Sequence, residues 1–171
     1  MKDFLIHSIK TRRSIRKFNG EKVSEDDIQK ILECAMFAPS AGNQRPWEFL
    51  VLTERDSLNK IPIVNPNASM AKDASAAILV CGNTALEKFK GFWVQDCSAA
   101  IENILLATHS LGLGAVWTAA YPREERVEGY RKLFALPENI IPLALIPIGH
   151  YTEKPADVQR FEKEKVHYER W

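Results

Sequence analysis

Cysteine is scarce in this chain. The three present, Cys34, Cys81 and Cys97, are odd in number and never stand in a C-x-x-C spacing. That argues against a disulfide framework and a thiolate zinc site, and points to reduced, buried thiols in a cytoplasmic setting. The histidines (His7, His109, His150 and His167) are scattered without an H-E-x-x-H, so no metal site is expected. No apolar run reaches the roughly 18–20 residues that cross a bilayer. The opening "MKDFLIHSIKTRR" is polar every few residues, so no signal peptide is expected. Neither sign of charge dominates: 23 Lys and Arg face 22 Asp and Glu, for a net +1. A nucleic-acid-binding domain finds little footing in that balance.

Other signatures are missing too. "GLGAVW" (112–117) begins like the dinucleotide fingerprint G-x-G-x-x-G, but Trp117 fills the third glycine position, and the segment follows an expected helix and enters an expected strand. No P-loop occurs. Ser40 lacks a surrounding G-x-S-x-G. The carboxylate pairs Asp26/Asp27 and Glu124/Glu125 fall at expected helix starts, where they complement the helix dipole.

What is present is ordinary for a globular chain of 171 residues: 46% hydrophobic and 26% charged. One domain is expected. Residues 3–13 read as a short helix with Phe4, Leu5 and Ile9 on its apolar side. A second helix follows Ser24, with Asp27 three residues on as in a capping box and Ile28, Ile31, Leu32, Ala35 and Met36 at helical spacing. It ends by Pro39. Residues 38–47 form a loop dense in turn residues before a strand over 48–53. Residues 54–75 read as short helical pieces. "AAILVCG" (76–82) reads as a strand buried on both faces. The longest helix is expected from about Phe92 to Leu111, with Cys97, Ile101, Ile104, Leu105 and Thr108 on one stripe and Gly112 as its stop. A strand over 114–119, a helix from Pro122 to Phe134 and a core strand over 140–151 complete an α+β domain of layered α/β/α type. Trp47 and Trp117 read as core or interface packing rather than substrate stackers, and the three thiols as buried.

The densest charge lies in "TRRSIRKF" (11–18), with Arg12, Arg13, Arg16 and Lys17 together and Lys10 just before. Four readings compete: a solvated charge run, a nucleic-acid contact, a membrane contact, and a pocket for one small anion. Two arginines and a serine in a row supply forked donors and a hydroxyl, which suit a phosphate.

"RRSIRKF", then a capped amphipathic helix and "APSAGNQRPWEFLVL", resembles the nitroreductase family of FMN-dependent oxidoreductases in its short-chain branch. The resemblance continues through "GLGAVWTAAY" and "IPIGHYTEKP" to "RFEKEKVHYERW", and so spans nearly the whole chain. It implies a mixed central sheet flanked by helices, in an intertwined homodimer with FMN at the interface. It further implies that 1–171 is one FMN-binding domain and that 152–171 is an arm packing on the partner subunit. By resemblance, Arg12, Arg13 and Ser14 engage the phosphate and ribityl chain, Arg160 reaches the same phosphate, and Arg16 approaches the pyrimidine edge of the flavin. Pro39, Ser40, Ala41 and Asn43 come from the other subunit. Thr118, Ala119 and Ala120 line the ring, with Gly149 close by.

The implied activity is NAD(P)H-dependent ping-pong reduction of nitroaromatics, quinones or related acceptors through flavin N5, without a catalytic side chain. A non-catalytic FMN carrier is the alternative. Two departures from larger relatives stand out: Ala119 replaces an acidic residue near N5, and "NTALEKFKGFW" (83–93) stands where a longer insertion caps the substrate channel.

Overall fold

The most apolar run makes the centre of the molecule. The computed structural model describes residues 3–153 and 155–171. In it Ala76–Asn83 forms β2, hydrogen-bonded on one side to β1 (Trp47–Leu52) and on the other to β5 (Ile140–Gly149), both antiparallel. Alternation along β2 divides the core. Ala76, Ile78 and Val80 belong to one buried cluster, and Ala77, Leu79 and Cys81 to another. Each fully buried Val, Leu or Ile stabilises the fold by about 1.5–3 kcal/mol.

Helices cover both faces. Against the first cluster lie α2 (Glu25–Met36) and α4 (Trp93–Ser110). Against the second lie α3 (Arg55–Val64) and α5 (Glu124–Phe134). The expected α/β/α layering is therefore present. The strand pairs are antiparallel, and the parallel component of the expected mixed sheet is a single bridge from Ser14 to Ala115. No helix among the described residues is long and apolar enough to cross a membrane.

Local signals explain the element ends. Ser24 caps α2 by accepting from the Asp27 amide at 3.1 Å, and its hydroxyl donates to the Asp27 carboxylate at 2.7 Å, which lowers that carboxyl's pKa. Gly112, at φ 74°, stops α4 as expected. The expected stripe of α4 is buried throughout. Burial pushes the Cys81 thiol up to about 12 and the Cys97 thiol upward as well, so both are inert.

Several expectations need correction. The single strand over 114–119 is two short ones, β3 (Gly114–Ala115) and β4 (Thr118–Ala119), each paired with β5. Strand pairing lapses at Val116–Trp117, and Trp117 is 36% exposed on the single chain. Within the helical pieces expected over 54–75, α3 runs through Pro62 in its last turn, where the missing N–H forgoes one bond to the Leu58 carbonyl. Cys34 is exposed, on the flank of the Ile31–Ala35 stripe, and Met36 is exposed too. The apolar side of α1 (Phe4–Thr11) is also open: Phe4, Leu5 and Ile9 face away from the chain, and its buried residue is Ser8.

Gly82 carries a checkable consequence. A Cβ there would lie 2.2 Å from the Trp93 ring, which is itself buried against the sheet. Gly82→Ala should destabilise the protein by about 1–3 kcal/mol through overpacking. Urea denaturation measures this, and an unchanged midpoint would show that the indole has room to move.

Candidate functional site

The basic segment leaves α1 and runs beside the sheet. The Ile15 amide donates to the Ala115 carbonyl at 2.9 Å, and the Asn19 amide donates to the His150 carbonyl at 2.9 Å. The Phe18 ring covers Gly149, where a Cβ would come within 2.8 Å of it. Residues 12–19 are thereby laid along β3 and the end of β5. Thr118 and Ala119 follow on the neighbouring β4.

Arg12 and Arg13 are half-buried, while Ser14 and Arg16 are exposed. Arg13 shapes its own turn: Nη1 donates to the carbonyls of Lys10 at 2.7 Å and Arg12 at 2.9 Å, and Nε donates to the Ala156 carbonyl at 3.2 Å. Arg12 Nε lies 3.6 Å from Glu102, and Lys17 lies 2.7 Å from Glu153. Among the described residues, Arg13 and Arg16 have no carboxylate partner. A cavity of about 130 Å³ opens behind this turn, lined by Thr11, Arg12, Arg13, His109, Tyr151 and Asp157 among others.

His109 braces the turn from the last residues of α4. The Thr11 hydroxyl donates to the His7 carbonyl at 2.8 Å, so the 2.9 Å contact to His109 requires Nε2–H as donor. Composition offered no hint of this brace.

The loop 39–45 is built differently. Gly42, Asn43 and Arg45 all have positive φ. The Arg45 amide donates to Ser40 Oγ at 3.0 Å. The Ala41 amide donates to Asp96 Oδ1 at 2.9 Å, and Gln44 Nε2 donates to Asp96 Oδ2 at 2.6 Å. Asp96 and Gln44 are buried polar residues that the sequence reading missed. Pro39 and Asn43 are exposed.

One distance organises all of this. The loop is anchored at Asp96 near the start of α4, and the arginine turn at His109 near its end. At 1.5 Å per residue these anchors are about 20 Å apart. Within one chain, Arg12–Ser14 and Ser40–Asn43 therefore hold to opposite ends of a buried helix. The arginine turn is brought together with β3, Gly149 and the start of the arm, but not with the loop.

Other expected residues divide. Thr118 is buried, its hydroxyl donating to the Leu145 carbonyl at 2.7 Å. Ala119 is exposed, and its carbonyl accepts from Arg126 at 3.0 Å and Asn65 at 3.3 Å. Ala120 is fully buried in the second cluster, with its amide bonded to the Leu143 carbonyl. Its side chain faces the core, so its part at this edge is a backbone one, whereas Ala119 also presents its side chain. Arg160 is exposed on the arm, four residues beyond the Ala156 tether. Lys154 of that arm lies outside the described residues.

The donor set suits a dianionic phosphate: two guanidinium groups, of Arg13 and Arg16, without carboxylate partners among the described residues, an exposed serine hydroxyl and a backbone held still by β3.

His109 supplies a test of its brace. Burial, with the Arg12 charge next and smaller pushes from His7 and Arg13, holds its imidazole below the ordinary 6.5. A base depressed in the native state contributes stability that is present above 6.5 and lost as pH falls through the lowered native value. His109→Gln keeps a donor for Thr11 without titrating. Flavin-free parent should lose stability relative to this variant between about pH 7 and pH 5. Parallel urea-denaturation profiles across that range would show the brace to be unimportant.

Comparison with known proteins places this geometry. The model of the Nitroreductase family matches residues 9–80 and 64–150. A protein of Methanothermobacter thermautotrophicus, provisionally named NADH dehydrogenase/NAD(P)H nitroreductase, is 54% identical over 98% of this chain and 87% of its own. A Bacteroides thetaiotaomicron crystal structure under the same provisional name shares 43% identity, covers 98% of each chain and superposes with a TM-score of 0.93. A provisionally named nitroreductase of Desulfovibrio desulfuricans, solved in complex with FMN, shares 28% identity over 100% of this chain and 99% of its own, at a TM-score of 0.85. The α+β layers, the antiparallel sheet and the matched segments all agree, and the chain belongs to the nitroreductase family.

Proposed function

We propose that this chain is an FMN-dependent NAD(P)H oxidoreductase, cytoplasmic and homodimeric, that reduces nitroaromatics, quinones or related acceptors. The observation that carries the reading is the arginine turn. Arg12, Arg13, Ser14 and Arg16 lie on a segment pinned to β3, and Arg13 and Arg16 lack carboxylate partners among the described residues, at the edge where small residues leave room. The FMN held by the Desulfovibrio desulfuricans relative supports the choice of anion.

When bound, FMN supplies the hydride-transfer chemistry. The chain does the rest. Arg12, Arg13 and Ser14 bind the phosphate, and Arg160 on the arm closes over it. Arg16 faces the pyrimidine edge, where its charge favours the electron-rich form. Ala119 and the backbone of Thr118 keep the ring edge uncrowded. Gly149 belongs to the same wall from behind, where Phe18 packs on it.

Pro39, Ser40, Ala41 and Asn43 come from a second copy of the chain. The 20 Å span of α4 supports that arrangement, as do the bare apolar residues of α1 and of the arm, Phe161, Tyr168 and Trp171. The arm 152–171 then packs on that copy, completing one domain per chain.

Purified protein should be yellow, and NADH or NADPH should bleach it without oxygen. FMN that is retained but never bleached would make the protein a carrier. Arg12→Ala removes a charge-assisted contact worth about 1.5–3 kcal/mol, so the Kd for FMN should rise about ten- to a hundredfold. Undiminished flavin retention would remove Arg12 from the site.

Arg16→Ala should instead lower the flavin midpoint potential more than it weakens binding, because only a nearby cation favours the negative charge gained near N1. A spectroelectrochemical titration with an unshifted midpoint would leave Arg16 without that role.

A further inference from the structure

A chain of buried and part-buried hydrogen bonds fixes the polarity of loop 39–45. The Lys88 and Phe89 amides both donate to Gln44 Oε1, at 2.9 and 3.0 Å. With Oε1 so occupied, Gln44 Nε2 must be the atom facing Asp96, and it donates to Oδ2. The Ala41 amide donates to the other carboxylate oxygen. Backbone donors thus stand at both ends of the relay, and neither end can be reversed. With Gln44 donating to it, position 96 must accept twice; between them the two side chains must present three acceptor oxygens and one donor. Only a carboxylate paired with an amide does this.

We propose that Asp96 and Gln44 are positioning residues for the flavin loop, and that their polarity sets the shape in which Ser40, Ala41 and Asn43 meet the cofactor. This rests on the reading of the loop as part of an FMN site. The loop holds Gly42, Asn43 and Arg45 at positive φ, a backbone that costs energy at the two non-glycine positions and persists only where its surroundings impose it. The relay imposes it, acting from α4 on one side and the 84–92 turn on the other. Phe89 is carried by the same relay, and its ring lies directly over Gly42.

Asp96→Asn breaks the logic. An asparagine has one acceptor and one donor there, so its amide nitrogen meets either the Ala41 amide or Gln44 Nε2. Turning Gln44 over moves the clash to the Lys88 and Phe89 amides. Gln44→Glu breaks it too, by placing two carboxylates in contact. Combining the two substitutions restores every bond with the acid and amide exchanged. The carboxylate now at position 44 accepts from the Lys88 and Phe89 amides and from the new side-chain amide at position 96. The carbonyl oxygen of that amide accepts from Ala41.

The test is FMN affinity, by fluorescence titration, of parent, Asp96→Asn, Gln44→Glu and the double variant, each well below its own unfolding midpoint. Amide exchange at Ala41, Lys88 and Phe89 is followed in the flavin-free chains. Each single variant should weaken FMN by about tenfold or more and speed exchange at these amides. The double variant should return to within about threefold of the parent. Single variants that lose thermal stability yet bind FMN like the parent would overturn the proposal, as would a double variant no better than the singles. If the single variants are insoluble, Gln44→Ala opens the far half of the relay while leaving Asp96 bonded to Ala41, and parental affinity there also overturns it. A parent that binds no FMN would sink the flavin reading itself, whereas parental binding with unaffected variants sinks only the relay.

Discussion

Helix α4 is the ruler of this molecule. Its buried stripe, Cys97, Ile101, Ile104, Leu105 and Thr108, packs it against the sheet so that it can neither shift nor tilt without losing core contacts. Its two ends carry unrelated jobs. Near the start, Asp96 gathers the loop that follows α2. Near the end, His109 braces the turn that follows α1. Because a helix rises 1.5 Å per residue, the anchors of the two segments are kept about 20 Å apart by the same packing that stabilises the fold. In the proposed dimer a site using both is completed by the second copy, and the separation that calls for it arises from the core rather than from the surface.

The electrostatics are equally local. A net charge of +1 gives no general attraction for polyanions. What attracts is the arginine turn itself: acids near it engage Arg12 and Lys17, while Arg13 directs most of its donors to carbonyls and Arg16 stays free among the described residues. Exposed pairs of this kind are worth about 1 kcal/mol or less, so they restrain the side chains without holding them against a stronger anion. A single phosphate can compete for such a cluster; a membrane or a duplex would need a broader field.

Much of this was legible in the residues. Ser24 with Asp27 announced α2, "AAILVCG" announced the central strand, and the spacing along α4 gave its buried face. These are local patterns, and burial on a face repeats with the element's period. What escaped depended on contacts far apart in sequence. Cys34 and Met36 fit the helical period of α2 yet lie off the narrow stripe that meets α4. "GAVWTA" has strand composition, but only pairing with β5 decides that it breaks at Val116–Trp117. Family resemblance supplied Ser40, Ala41 and Asn43 as candidates, while nothing in "AGNQ" or "VQDCS" tells a reader that Gln44 and Asp96 are bonded. Family resemblance also supplied Thr118, Ala119 and Ala120, and only the long-range bond from the Ala120 amide to the Leu143 carbonyl shows that the side chain of Ala120 turns inward.

The open apolar surfaces complete the physical argument. Phe4, Leu5 and Ile9 lie on α1, whose last turn delivers Arg12 and Arg13, and the arm begins at the Ala156 contact with Arg13. A helix of eight residues has little stability alone, since nucleation consumes most of what its few hydrogen bonds return. On this chain its anchors are Ser8, the His109–Thr11 contact and whatever covers its outer side. In the proposed dimer that cover is the second copy, so the arginines become ordered by association as well as by folding. Binding that favours the ordered form then strengthens association in turn, because linkage is reciprocal. In that reading a lone chain would present the arginines from a helix free to fray, with the loop anchored about 20 Å away along α4. Folding, pairing and cofactor retention are thereby tied together through one short helix and one long one.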